Sequence, residues 1–122
     1  MLPNAKFEVV VPVEAVHGGH VNNVKYLEFL ENARRPWYEF FFGLGFRAFV
    51  AHLDVEYKKE AFLGDRLVIH SAIERVGNTS FVLAQTIQNQ NEENVLKAKV
   101  TFVAISVETG EKMRIPDELR ES

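Results

Sequence analysis

A chain of 122 residues, 47% hydrophobic and 25% charged, has the size and balance of one globular domain (1–122), and no linker-like stretch divides it. With no cysteine, disulfides, thiol nucleophiles and thiolate metal sites are excluded, and a formal charge of −3 gives no general pull on nucleic acid or anionic lipid. Charges interrupt every apolar stretch before the roughly 18 residues of a membrane span, and residues 1–6 have no signal-peptide pattern, so a cytoplasmic protein without a membrane or nucleic-acid partner is expected.

Over residues 6–14, Phe7, Val9, Val11 and Val13 alternate with Glu8, Val10 and Pro12, the period of a half-buried strand. Pro12 places that strand near a sheet edge. A loop follows at Val16-His17-Gly18-Gly19-His20, where adjacent glycines suit a turn. From Asn22 or Asn23 to about Phe42 the apolar residues Val24, Leu27, Leu30, Ala33, Trp37, Phe40 and Phe41 recur at helical spacing, and Tyr26, Phe29 and Tyr38 widen that face. Lys25, Glu28, Asn32, Arg35 and Glu39 form one polar stripe, so the helix is expected to be buried on all but one side. Asn22 is placed to cap it, Pro36 to bend it or to mark the meeting of two shorter helices, and Gly43 and Gly45 to end it.

The remainder reads as strands. Alternation recurs over residues 51–57, 67–73, 81–87 and 96–104, with turns at Gly64-Asp65 and Gly77-Asn78 and a hairpin at residues 88–94. Thr109, Gly110 and Pro116 mark a polar C-terminal tail. One strand, one long helix and four further strands suit an α+β fold in which an antiparallel sheet curls around the helix. A sheet of this kind keeps open edges, which pairing with a second subunit would cover.

The segment His20-Val21-Asn22-Asn23-Val24-Lys25-Tyr26, with Glu31-Asn32-Ala33-Arg34, resembles the motif region of the hotdog-fold thioesterases, the group of 4-hydroxybenzoyl-CoA and acyl-ACP thioesterases. Tyr57, Glu60-Ala61, Gly64-Asp65 and Gly77-Asn78-Thr79-Ser80 resemble the same family's strand and turn pattern, so the likeness covers nearly the whole chain. It implies a hotdog fold, a homodimer or homotetramer, and hydrolysis of acyl-CoA or acyl-ACP. Coenzyme A or phosphopantetheine then enters as part of the substrate, and no separate cofactor is expected.

The chain departs from the family where the family carries a loop aspartate, four residues before His20: here the residue is Val16, which can neither take a proton nor attack a carbonyl. The asparagine that the plant acyl-ACP branch adds is Gly18 here, so His20 alone matches that branch's catalytic group. By residue-for-residue comparison the Asn23 amide, at the positive end of the helix dipole, would polarise the thioester carbonyl, with Gly19 letting substrate approach the backbone. Candidate catalytic residues are therefore Asn23, His20, Glu31 and Glu14, and candidate substrate contacts are Gly19, His17, Asn22 and Val16. Each has a structural alternative: Asn22 and Asn23 as caps, Glu31 in an ion pair with Arg34 or Arg35, Glu14 at a strand end facing solvent, His17 and His20 as loop hydrogen-bonders. His17 and His20 have no third ligand at a recognisable spacing, so no metal site is expected. Two further readings stay open: a hotdog protein that binds acyl thioesters without hydrolysing them, which Val16 motivates, and, ranked below it, a hotdog dehydratase.

Overall fold

The apolar run between Asn22 and Phe42 forms one uninterrupted helix, α1 (Asn23–Gly43), with Pro36 inside it. The computed structural model describes Leu2, Pro3 and residues 5–120. Tyr26, Phe29, Leu30, Ala33, Trp37 and Phe41 are buried along one face of α1, while Glu28, Arg35 and Glu39 of the polar stripe are exposed. Val24, counted above with the apolar face, is exposed.

Around the helix run β1 (Lys6–Val10), β4 (Phe46–Tyr57), β5 (Arg66–Val76), β6 (Ser80–Gln88) and β7 (Asn94–Ser106), in a five-stranded antiparallel sheet of order β1-β5-β6-β7-β4. The edge position expected for the first strand is correct, but β1 stops at Val10 instead of reaching Glu14. Pro12 has no amide to give a ladder, and the chain turns after it into a 3-10 turn at Val13–Ala15. Where a loop was expected, β2 (Val16–His17) and β3 (His20–Val21) form a small hairpin closed by Gly18 and Gly19, at φ +68° and +90°. Two consecutive positive φ angles are what a tight two-residue hairpin turn demands, and glycine meets them without strain.

Register shifts interrupt three of the ladders, one of them between Ile87 and Gln88 where β6 pairs with β7. The register of β4 shifts at Ala51, between Val50 and His52; beyond it Leu53, Val55 and Tyr57 pair with the buried Val100, Ala98 and Leu96 and share their face, as the alternation reads, but on this edge strand only Val55 packs on the core while Leu53 and Tyr57 stay exposed. Before the bulge, Phe46 is buried and Ala48 packs inward. The third shift lies between Ile73 and Arg75 in β5. The tail is less polar in effect than its composition implies. Ile115 and Leu119, the latter in the short α2 (Asp117–Arg120), are fully buried, and the Arg120 guanidinium donates to the Gly77 carbonyl at 2.7 Å.

The core has two halves. Tyr26, Phe29, Leu30 and Ala33 pack on Leu67, Ile69, Ile87 and Leu96, and Trp37 and Phe41 pack on Phe46, Phe81, Leu83, Val100 and Phe102. Arg34 is also buried on α1: its Nε donates to the Tyr38 hydroxyl at 2.8 Å and its NH1 to Gln85 Oε1 at 2.9 Å. Gln85 Nε2 in turn donates to the Leu30 carbonyl and to Ser71 Oγ, both at 3.1 Å. These bonds fix the middle of the helix over the sheet and so determine where its first turn stands. Among the described residues no helix is long and apolar enough to cross a membrane.

Candidate active site at the start of the long helix

Two backbone bonds and one from a backbone amide to a side chain hold the first turn of α1. The Val21 amide donates to the Ala61 carbonyl and the Asn22 amide to the Ala15 carbonyl, each at 2.9 Å, and the Ala61 amide donates to the Tyr26 hydroxyl at 2.9 Å. Asn22 is the cap: its Oδ1 accepts from the Val24 amide at 2.9 Å. Asn23 is the first helical residue, and among the described residues nothing accepts a hydrogen bond from its amide. Free amides at a helix start point along the axis with the positive end of the dipole behind them.

A cavity of about 340 Å³ opens beside this turn, lined by His20, Val21, Asn23, Tyr26, Tyr57, Lys58, Lys59 and Glu60. His20 Nδ1 lies 3.2 Å from the Val21 carbonyl, which can only accept, so Nδ1 carries a proton, and in the neutral ring Nε2 is the acceptor. The Tyr57 hydroxyl makes a long hydrogen bond, 3.4 Å, to the Asn23 carbonyl. Burial raises the pKa of the Tyr26 hydroxyl; its bond from the Ala61 amide opposes this, and the nearby Glu60 and Asp65 carboxylates add to the rise. Lys58 is paired with Glu56 and Lys59 with Glu93; the Lys58 hydrogen bond holds the Glu56 carboxyl below its usual range, and a bond from Asn89, followed by that from Lys59, does the same for Glu93.

The structure separates the residues singled out from the sequence. His20 and Asn23 share the cavity. Asn22 serves it as the cap, and Gly19 is required by the hairpin turn. Val16 is half-buried and packs on the core, and His17 is exposed on β2. Glu14 is not at a strand end: it is exposed in the 3-10 turn and is not among the cavity's lining residues. Glu31 is eight residues past Asn23, about 12 Å along the axis. It lines a different cavity with Tyr38, Phe42, Phe46, Arg47 and Ala48. The ion pair expected between Glu31 and Arg34 or Arg35 is not formed, because Arg34 turns into the core toward Tyr38 and Gln85.

Tyr57, Lys58, Lys59 and Glu60 also line the site; Tyr57 and Glu60 belong to the family-like strand and turn pattern, which assigned them no role in it. They stand more than thirty residues after Asn23, and no spacing rule links the end of a strand to the start of a distant helix. A larger cavity, about 740 Å³, lies over the β1–β5 edge and the β6–β7 turn, lined by Lys6, Arg66, His70 and Gln90 among others, and holds no helix terminus. Among the described residues no group of three or more histidines and carboxylates is placed to hold a metal ion.

Comparison with known proteins shows the family. Residues 11–122 match the model of the thioesterase-like superfamily. The chain is 33% identical over 111 residues to the long-chain acyl-CoA thioesterase FadM of Escherichia coli, covering 84% of this chain and 83% of that protein. The crystal structure of YbaW, a probable thioesterase from Escherichia coli, superposes with a TM-score of 0.85 at 28% identity, covering 97% of this chain and 95% of that one. A hypothetical protein of Staphylococcus aureus, solved in complex with CoA, has a TM-score of 0.81 at 16% identity, covering 99% and 82%, a likeness of fold alone. With the motif at the helix start, the five-stranded wrap and these relatives in agreement, the chain belongs to the thioesterase-like superfamily and is a hotdog-fold thioesterase.

Proposed function

We propose that the chain hydrolyses acyl-CoA thioesters in the cavity at the start of α1. The observation that carries this reading is the Asn23 amide, free of any described acceptor at the positive end of a 21-residue helix and lining an open cavity. A thioester carbonyl placed against that amide is polarised, and the oxyanion formed on attack is held where the field is most favourable. His20 Nε2, left as an acceptor by the bond at Nδ1, takes a hydrogen bond from the attacking water and orients it. Acyl-CoA is preferred to acyl-ACP because the relative at 33% identity is named for acyl-CoA. Coenzyme A is thus part of the substrate, and the chemistry calls for no other cofactor. Incubation with a panel of short, long and aromatic acyl-CoAs should release free thiol well above the uncatalysed rate for at least one of them. Binding without thiol release across the panel would favour the second reading, a non-hydrolytic acyl-CoA binder, for which Val16 is the motive.

The working unit proposed is a homodimer joined through β4. One edge of β4 pairs with β7 and the other carries no described strand, leaving a row of unpaired backbone groups. Along it Phe49, Val50 and Leu53 keep 59%, 43% and 39% of their surface exposed, more than the outer edge of a lone monomer tolerates well. A second copy pairing β4 with β4 in a two-fold arrangement satisfies both the edge and the apolar side chains. Sedimentation should give twice the protomer mass, and Leu53→Lys should shift the protein toward monomer; a wild-type monomer at micromolar concentration refutes the pairing.

A further inference from the structure

We infer that Glu60 is the carboxylate that takes the proton from the attacking water, in place of the loop aspartate that Val16 has displaced. The inference rests on the proposed hydrolysis and assigns its missing base. Three observations lead to it. Glu60 lines the cavity that holds Asn23 and His20, and among the described residues no other carboxylate lines it. It has no ion-pair partner among the described residues, although two lysines precede it directly: Lys58 is engaged by Glu56 and Lys59 by Glu93. Its charge is felt at the Tyr26 hydroxyl, which also lines the cavity and is bonded to the amide of Ala61, the residue after Glu60.

The other carboxylates named from the sequence are placed less well. Glu14 is exposed in the 3-10 turn, and Glu31 lines a separate cavity farther along the helix. Glu60 is also held in position from both sides. The Lys58 and Lys59 amides donate to the Val95 carbonyl at 2.9 and 3.2 Å, and the Ala61 carbonyl accepts from the Val21 amide at 2.9 Å. The segment carrying the carboxylate is therefore tied to β7 before Glu60 and to the entry of α1 after it.

The step balances with groups in this cavity and water. Water donates one hydrogen bond to His20 Nε2 and the other to the Glu60 carboxylate. Its oxygen bonds to the carbonyl carbon as the second proton passes to Glu60, and the oxyanion rests against the Asn23 amide. As the tetrahedral intermediate collapses, the carbon–sulfur bond breaks with its electron pair going to sulfur. The protonated Glu60 returns its proton to the thiolate, giving a carboxylic acid and a free thiol.

The test begins with the best acyl-CoA from the thiol-release panel, on full-length protein. If the wild type shows no turnover on any member, the hydrolytic reading fails and this inference with it. Given wild-type turnover, Glu60→Gln is expected to lower kcat by about 10²- to 10⁴-fold with KM changed by no more than about threefold. Glu60→Ala should be equally slow and regain part of its rate with added formate, which supplies a carboxylate to the vacated space; a structural contact would give no such rescue. Wild-type-like kcat in Glu60→Gln, an effect confined to KM, or no formate response in Glu60→Ala each overturns the assignment of Glu60 while leaving the hydrolytic reading intact.

Discussion

Replacing Phe41 with alanine is expected to lower folding stability by about 3–5 kcal/mol, the range for an aromatic ring removed from a packed core. Phe41 is completely buried, stacked on Phe46 with ring centroids 5.1 Å apart and edge-on to Phe81 at 5.0 Å. Trp37, Phe40 and Phe102 follow at 6.3, 6.2 and 6.2 Å. These neighbours come from α1, β4, β6 and β7, so no single element can shift to fill the space. The ring joins the C-terminal half of the helix to three strands. For a domain of this size the loss corresponds to a fall in melting temperature of roughly 10–20 °C. Urea unfolding of wild type and variant measures it directly, and a change below about 1 kcal/mol would show that this half of the core collapses around the gap. Phe41→Leu, which keeps most of the volume, should lose much less.

The helix was legible in the sequence because its signals agree: an asparagine cap, apolar residues at three and four, and glycines at the end. The order of elements and the edge position of β1 followed from alternation and from one proline. The exposure of β4 did not, because alternation gives a residue's face and not what covers it; Leu53 shares the face of buried Val100 but stands on an edge strand and is exposed. Nor did the small hairpin at Val16–Val21, since two-residue strands are too short to show a period. Of the site, Asn22, Asn23 and His20 were legible because they are contiguous with the cap. Glu60 was not, because only folding brings the exit of β4 beside the entry of α1. Arg34 misled for a related reason. Spacing on a helix offers it to Glu31, but burial gives it to Gln85, which lies fifty-one residues away.

Gln85→Leu should therefore destabilise the protein by about 3 kcal/mol despite adding apolar surface to the core, because it leaves a buried guanidinium short of an acceptor. Arg34 is 8% exposed, and among the described residues no carboxylate pairs with it; its side chain donates to Tyr38 and Gln85. Gln85 is fully buried and uses both ends of its amide, accepting from Arg34 and donating to Leu30 and Ser71. Arg34→Met alone should cost about 1–3 kcal/mol, since a buried amide oxygen then lacks its donor. The two changes together should cost less than their sum, because the second removes the group that the first left unpaired, with a coupling of about 0.5–3 kcal/mol. A double-mutant cycle in urea measures that coupling, and additive losses would mean that solvent reaches the guanidinium. The Gln85 bond to the Leu30 carbonyl also fixes the height of α1 over β6. Variants that stay folded should therefore lose kcat through misplacement of the Asn23 amide, while the affinity for acyl-CoA changes little.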